Sequence, residues 1–238
     1  MEGVGIIWDF DGVLVFTPHE EAWRRAAEHY GAGGFDHGFY VRYVSGKPRY
    51  EGAHNILQLL GIYEKFGATD GEKRQKLLHE FAEFKNRLVN EMFERGEYGI
   101  NEAAIEFLVK SRKLGVRHAL ASASKNATKL AERIKVNMEG NPVPLGSLFD
   151  INVSGMAPTK KEVFKLAVEE MRSKFPCIGT LLVVEDAPAG VRAAKELGLL
   201  TLGYEREAEL DAHIRFKDFS ELDPDALVAL IAREEVRG

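Results

Sequence analysis

Near its amino end the chain reads Val4-Gly5-Ile6-Ile7-Trp8-Asp9-Phe10-Asp11-Gly12-Val13-Leu14. An apolar run stops at two aspartates separated by one residue. In a strand, residues two apart point the same way, so both carboxylates serve one spot at the strand's end. Two anions about 4 Å apart repel by roughly 4 kcal/mol at an effective dielectric near 20. A cation or a proton between them removes that penalty, and both serve phosphoryl transfer. Gly12 allows a tight backbone turn beside the pair.

Two further apolar runs end in residues able to do chemistry. Residues 117–121 lead into Ser122-Ala123-Ser124-Lys125-Asn126, and residues 180–184 into Glu185-Asp186-Ala187-Pro188. Ligands of open α/β sheets bind beyond the carboxyl ends of the strands. Three such ends would bring four carboxylates, a pair of hydroxyls and a lysine to one rim. Phosphate monoesters hydrolyse very slowly unaided, and their catalysis is mostly positioning and charge stabilisation. A carboxylate nucleophile splits the reaction into two steps through an aspartyl-phosphate. Asp9 suits that role, and Asp11 suits proton transfer to the leaving oxygen and then from water. Attack by one anion on another calls for a cation. Hard oxygen donors, with no Cys/His cluster, point to Mg²⁺ rather than zinc.

Elements that could position these residues follow from the apolar pattern. Short buried-type runs predict parallel strands at residues 4–8, 117–121, 180–184, 199–203 and 214–216. Helical spacing predicts helices over 101–114, 128–136, 160–175 and 188–197, with Gly115 and Gly198 as terminators and Asp223-Pro224 opening a last helix. Alternation of strands and helices implies an α/β parallel sheet. Residues 17–96 break the rhythm. They carry helical patterns over 20–30, 39–44, 51–60 and 71–95 and no convincing strand, which is too much for a crossover. The expected organisation is therefore a core of residues 1–16 and 97–238 with a helical cap, 17–96, inserted after the first strand. Thr17-Pro18 on one side and Gly96 and Gly99 on the other are the candidate hinges.

Composition narrows the classes. The 238 residues carry a net charge of −5, with 45 % hydrophobic and 29 % charged residues. That is an ordinary globular balance with no basic stripe for nucleic acid. No apolar run approaches the ~20 residues of a membrane helix, and no signal peptide is expected. A single cysteine, Cys177, excludes an intrachain disulfide framework and fits a cytoplasmic location. His19 and His118 read as lone histidines, Trp8 and Trp23 as core residues, and the charged run 72–95 as a solvated helix face.

The motifs resemble those of the haloacid dehalogenase superfamily, in its phosphatase and phosphomutase branch with a helical cap after the first strand. The family's D-x-D-G-[VT]-[LV] motif is matched by residues 9–14, its strand ending in Ser or Thr by residues 119–122, and its acidic pair by Glu185-Asp186. The resemblance spans the chain and implies a Rossmann-like core. It implies Mg²⁺ held by Asp9, the Asp11 carbonyl and Asp186, with Glu185 assisting, and a phosphoryl oxygen bound by Ser122. The family's motif lysine falls at Lys160 or Lys161 in an altered context, Thr159-Lys160-Lys161-Glu162-Val163-Phe164, with Lys160 preferred. A second departure is Val15-Phe16-Thr17, where relatives often carry V-D-S or V-D-T.

Residues 121–126 resemble the same stretch of β-phosphoglucomutases, and Ser45-Gly46-Lys47-Pro48-Arg49 resembles their G-x-x-R segment. By that likeness Arg49, Ser124, Lys125 and Asn126 contact substrate; a planar guanidinium binds phosphate oxygens in pairs. For residues 124–126 a helix-capping role is the equal alternative. The leading expectation is a Mg²⁺-dependent phosphohydrolase acting on a small phosphorylated metabolite. A β-phosphoglucomutase-type phosphomutase stands second. A silent binding module would have lost Asp9 or Asp186, and a dehalogenase would not need Asp11. No nucleic-acid or membrane partner is expected, and the assembly state expected is a monomer or small homo-oligomer.

Overall fold

The structure, a computed structural model, describes residues 3–138 and 140–235. In chain order, β1 (Gly3–Trp8) and β2 (Val15–Phe16) precede five helices, α1 (His19–His29), α2 (His37–Tyr43), α3 (Arg49–Leu59), α4 (Ile62–Lys65) and α5 (Gly71–Glu94). The chain continues with β3 (Gly99–Ile100), α6 (Glu102–Lys113), β4 (Arg117–Leu120), α7 (Ala127–Arg133), β5 (Lys135–Met138), β6 (Asn141–Pro144) and β7 (Ile151–Asn152). It ends with α8 (Lys160–Lys174), β8 (Ile178–Glu185), α9 (Pro188–Glu196), β9 (Leu200–Tyr204), β10 (Ile214–Phe216) and α10 (Pro224–Glu235).

Six strands form one parallel sheet in the order β10-β9-β8-β1-β4-β7. The central strand, β1, is apolar on both sides because both faces are covered. Ile7 packs with Leu181 and Val183 against Val163, Phe164, Ala167 and Met171 of α8 and Ala193 and Ala194 of α9. On the opposite face the Trp8 ring lies edge-on to Phe107 of α6 (6.0 Å) and stacks on Phe219 (5.8 Å). Each such buried side chain contributes about 1.5–3 kcal/mol.

The chain divides into two compact units. Residues up to Phe16 and from Gly99 onward form one; Thr17–Tyr98 form the other. It leaves and re-enters the first unit through an antiparallel ribbon, β2 with β3, in which Phe16 faces Gly99. The helical unit has its own core of Trp23, Ala26, Ala27, Ile56, Leu57, Tyr63 and Phe81. Its long helix α5 is more than a solvated face: Leu77, Phe81, Lys85, Val89 and Met92 are buried. Lys85 lies over the Trp23 ring and 3.2 Å from Nδ1 of His19, so that histidine is not isolated.

Three local expectations need correction. The helix expected over 128–136 ends at Arg133, and Val136 belongs to a hairpin, β5 with β6. β7 adds a sixth strand to the sheet, with Ile151 opposite Ala119. α4, one short turn, lies where no helix was expected.

His118 is a core residue, as its place in a buried run suggests. Trp8 Nε1 donates to its Nδ1 at 2.9 Å; Ser111 Oγ lies 3.3 Å from its Nε2 and donates to the Leu108 carbonyl at 3.0 Å. This chain closes only for a neutral ring with the proton on Nε2. Burial, helped by the charges of Arg112 and Arg117, lowers the pKa to about 3 from an ordinary 6.5. The unfolded chain therefore binds a proton that the native chain refuses, and stability is lost as pH falls from about 6.5 towards 3. Below pH 6 the protein should lose about 1.4 kcal/mol per pH unit more than a His118→Gln variant. Urea unfolding at pH 6 and pH 5 measures the difference; parallel losses in both proteins would contradict it.

Candidate active site

β1, β4 and β8 are neighbours and parallel, so the residues that follow them meet at one rim. Asp9 continues β1, its N–H donating to the Val184 carbonyl at 3.1 Å, while Ala121 donates to the Trp8 carbonyl at 2.9 Å. Asp9 and Glu185 are buried; Asp186 is partly so. One carboxylate oxygen from each of Asp9, Glu185 and Asp186 lies within 4.8 Å of the others. The Asp11 side chain is outside this trio and accepts from Ser122 Oγ at 3.3 Å.

Lys160 brings the opposite charge. It is the first residue of α8, whose cap is Thr159: the Thr159 Oγ1 accepts from the Glu162 N–H and donates to the Glu162 carboxylate at 2.7 Å. That cap fixes the helix start and aims Lys160 inward. Its Nζ contacts the Glu185 carboxylate and lies 2.5 Å from Asp9 Oδ1. The ammonium thus makes a buried ion pair with Asp9 Oδ1 as well as with Glu185. Lys161 points away and pairs with exposed Glu196 at 2.7 Å. Of the two lysines, Lys160 is the one beside Asp9 and Glu185.

Charge crowding governs protonation here. Burial pushes the Asp9 carboxyl well above its usual range; Lys160 pulls it back, and Glu185, Asp11 and Asp186 push it further up. Asp186 is pushed up to about 7, by burial first and then by Glu185. For Lys160, burial favours the neutral amine, but Asp9 and Glu185 outweigh it and hold the ammonium above its ordinary pKa.

These residues fit a hard divalent cation. Three crowded carboxylates, with the Asp9 and Asp186 pKa values raised by burial and by their neighbours, share one lysine and are short of positive charge, and their donors are all oxygen. Glu185 is already committed. One of its oxygens takes Lys160, and the other accepts the N–H groups of Asp186 (3.0 Å) and Ala187 (2.9 Å). It is thereby suited to aiming Asp186 rather than to direct ligation.

Two glycines make room. A Cβ on Gly12, whose φ is +86°, would lie 1.9 Å from an Asp186 oxygen; one on Gly190 would lie 2.0 Å from Glu185 Oε1. From sequence, Gly12 implies only a turn, and Gly190 carries no signal.

Of the other expected site residues, Ser122 is buried beside Asp11, and the Ser124 N–H donates to its hydroxyl at 3.0 Å. Asn126 takes the cap position of α7 without a side-chain cap bond; its N–H donates to Ser124 Oγ at 3.3 Å. Arg49 opens α3 in the helical unit and pairs with Glu83 at 3.3 Å.

A model of the haloacid dehalogenase-like hydrolases matches residues 5–198. The β-phosphoglucomutase of Bacillus subtilis (strain 168) is 27 % identical over 201 residues, covering 83 % of this chain and 81 % of that protein. The crystal structure of an archaeal β-phosphoglucomutase from hyperthermophilic Pyrococcus sp. strain ST 04 is 60 % identical, with a TM-score of 0.85 over 96 % of this chain and 99 % of that one. A predicted phosphoglycolate phosphatase from Haemophilus somnus shares the fold at 12 % identity, with a TM-score of 0.68 over 97 % of this chain and 99 % of that one.

Removing the lysine should expose the charge imbalance. Lys160→Met is expected to destabilise the protein by about 3–5 kcal/mol at pH 7, since it strands buried carboxylates. The deficit should shrink at pH 5, well below the Asp186 pKa of about 7, where protonation relieves the stranded charge. Urea unfolding of both proteins at the two pH values tests this; a pH-independent deficit would assign the loss to packing instead.

Proposed function

Because the chain belongs to the haloacid dehalogenase-like hydrolases, in their β-phosphoglucomutase-like branch, we propose that it transfers phosphoryl groups of a small phosphorylated metabolite through Asp9. The observation that carries this reading is the convergence of Asp9, Glu185 and Asp186 within 4.8 Å, with Lys160 against Asp9.

In this reading an Asp9 oxygen attacks phosphorus as the bond to the leaving oxygen breaks, giving an aspartyl-phosphate. Asp11 gives a proton to the leaving oxygen and then takes one from the incoming hydroxyl. Its hydrogen bond from Ser122 at 3.3 Å makes the two side chains neighbours, which supports their acting on one phosphoryl group. Ser122 and Lys160 hold the transferring oxygens, where donors and fixed charge stabilise the transition state. Mg²⁺, held by Asp9, Asp186 and the Asp11 carbonyl with Glu185 behind them, would neutralise charge between nucleophile and phosphate.

The acceptor separates two activities. Hydrolysis returns the phosphoryl group to water; a mutase returns it to a sugar hydroxyl. Residues 121–126, Arg49 and the 60 % identity to an archaeal β-phosphoglucomutase favour the mutase, with a sugar phosphate as substrate. Hydrolysis, ranked first on sequence, is the second reading.

The test supplies Mg²⁺ and β-glucose 1-phosphate with a trace of the 1,6-bisphosphate. Glucose 6-phosphate formed without orthophosphate is the expected result; stoichiometric orthophosphate would assign the hydrolase. Asp9→Asn should lower either activity by at least about 10³-fold, as loss of a covalent nucleophile does. Full turnover by that variant, or in excess chelator, would overturn the reading.

A further inference from the structure

The Ser122 loop is shaped by a turn that no motif covers. Beyond β7 the chain forms a four-residue turn in which the Met156 N–H donates to the Val153 carbonyl at 3.2 Å. Gly155, its third residue, has φ +74°, a conformation that favours glycine. The turn occupies the Val153 carbonyl. The neighbouring N–H of Ser122 instead donates to the Ser154 hydroxyl at 3.2 Å, and the Gly155 N–H donates to the Ser122 carbonyl at 2.8 Å. Both backbone polar groups of Ser122 are thus held by Ser154-Gly155.

The turn is itself anchored. The Ser154 N–H donates to Asn152 Oδ1 at 3.0 Å, and Asn152 Nδ2 donates to Thr128 Oγ1 on α7 at 3.2 Å. It also presses on the loop: a Cβ at Gly155 would lie 2.9 Å from the Lys125 Cα and 3.4 Å from the Ser124 carbonyl. Held this way, Ser122 turns its hydroxyl to Asp11 while accepting from the Ser124 N–H.

We infer that Ser154 and Gly155 are positioning residues for phosphoryl binding: they fix the Ser122 hydroxyl and the backbone that follows it. The inference rests on the phosphoryl-transfer reading above. It places part of the site's precision on the edge of the sheet, away from the carboxylates.

The experiment measures three quantities in the full-length protein, Ser154→Ala and Ser154→Thr: the inhibition constant of orthophosphate, KM for an aryl phosphate, and the Mg²⁺ concentration for half-maximal activity. Ser154→Ala should weaken orthophosphate binding and raise KM about tenfold, the effect of one lost hydrogen bond with a stranded N–H. Ser154→Thr, which keeps the acceptor, should come within about twofold of the original. Half-activation by Mg²⁺ should not move, because Asp9 and Asp186 are untouched; general loosening would move it together with KM. Should Ser154→Ala melt below the assay temperature, Ser154→Cys, a poor acceptor of similar size, gives the same comparison. Unchanged orthophosphate inhibition, or a parallel shift in the Mg²⁺ requirement, overturns the inference. An unsubstituted protein that turns over no phosphate ester with Mg²⁺ sinks the parent reading instead.

Discussion

One buried ammonium, that of Lys160, stands among Asp9, Glu185 and Asp186, and the site depends on this imbalance. At an effective dielectric near 20, each pair of carboxylates 4–5 Å apart costs roughly 3–4 kcal/mol. Burial adds to that cost, because ionised groups lose water. A single lysine cannot offset three such groups, and the raised pKa values of Asp9 and Asp186 express the shortfall. The rim is therefore strained towards taking up positive charge, as protons or as a divalent cation. An anionic phosphate could not approach Asp9 without that compensation.

Topology makes the crowding possible. Parallel strands all end on the same side, so three neighbours deliver their next residues to one edge without long loops. The arrangement leaves little space between strand ends and the helices that follow. Gly12 and Gly190 answer this constraint, since either Cβ would overlap a carboxylate oxygen. At Gly190 the helix α9 can then begin directly over Glu185, whose carboxylate accepts the Asp186 and Ala187 N–H groups at that helix's start. The charge that aims Asp186 also satisfies donors that would otherwise be orphaned.

Much of this was legible in the chain, for identifiable reasons. Strands buried on both faces read as continuous apolar runs, which exposed β1, β4, β8 and β9, and the Asp, Ser and Glu-Asp residues at the ends of β1, β4 and β8 came with them. β7 has two residues and no run to detect. The expected helix runs too far because Ile134 follows Leu130 and Ala131 at helical spacing, which hides the start of the hairpin at Lys135. Lys85 sits among charged neighbours, and only the packed helix reveals that it lies over Trp23. The sequence prefers Lys160 over Lys161 by resemblance alone, because periodicity does not fix which of two adjacent residues faces the site. Adjacent residues at a helix start differ by about 100° in direction, and the Thr159 cap decides which one turns inward. Ser154 was invisible for a related reason: its partner is the backbone of Ser122, and the two are 32 residues apart.

The acceptor of the phosphoryl group is a separate matter from the charge at Asp9. On the proposed function, forming an aspartyl-phosphate would ask the same of Asp9, Asp11, Ser122 and Lys160 whether water or a sugar hydroxyl comes next. Those residues cannot discriminate between the outcomes, because their electrostatics are common to both. Discrimination needs groups that recognise the rest of the substrate; on the proposed function Arg49, in the helical unit, would be one, since a guanidinium suits a second phosphate. That unit has an independent apolar core around Trp23 and Phe81. Substitutions there can change what is bound without disturbing the buried carboxylates, whereas a change beside Asp9 alters charge and chemistry together. One fold is shared with a mutase at 60 % identity and with a predicted phosphatase at 12 %, so architecture alone does not set the acceptor.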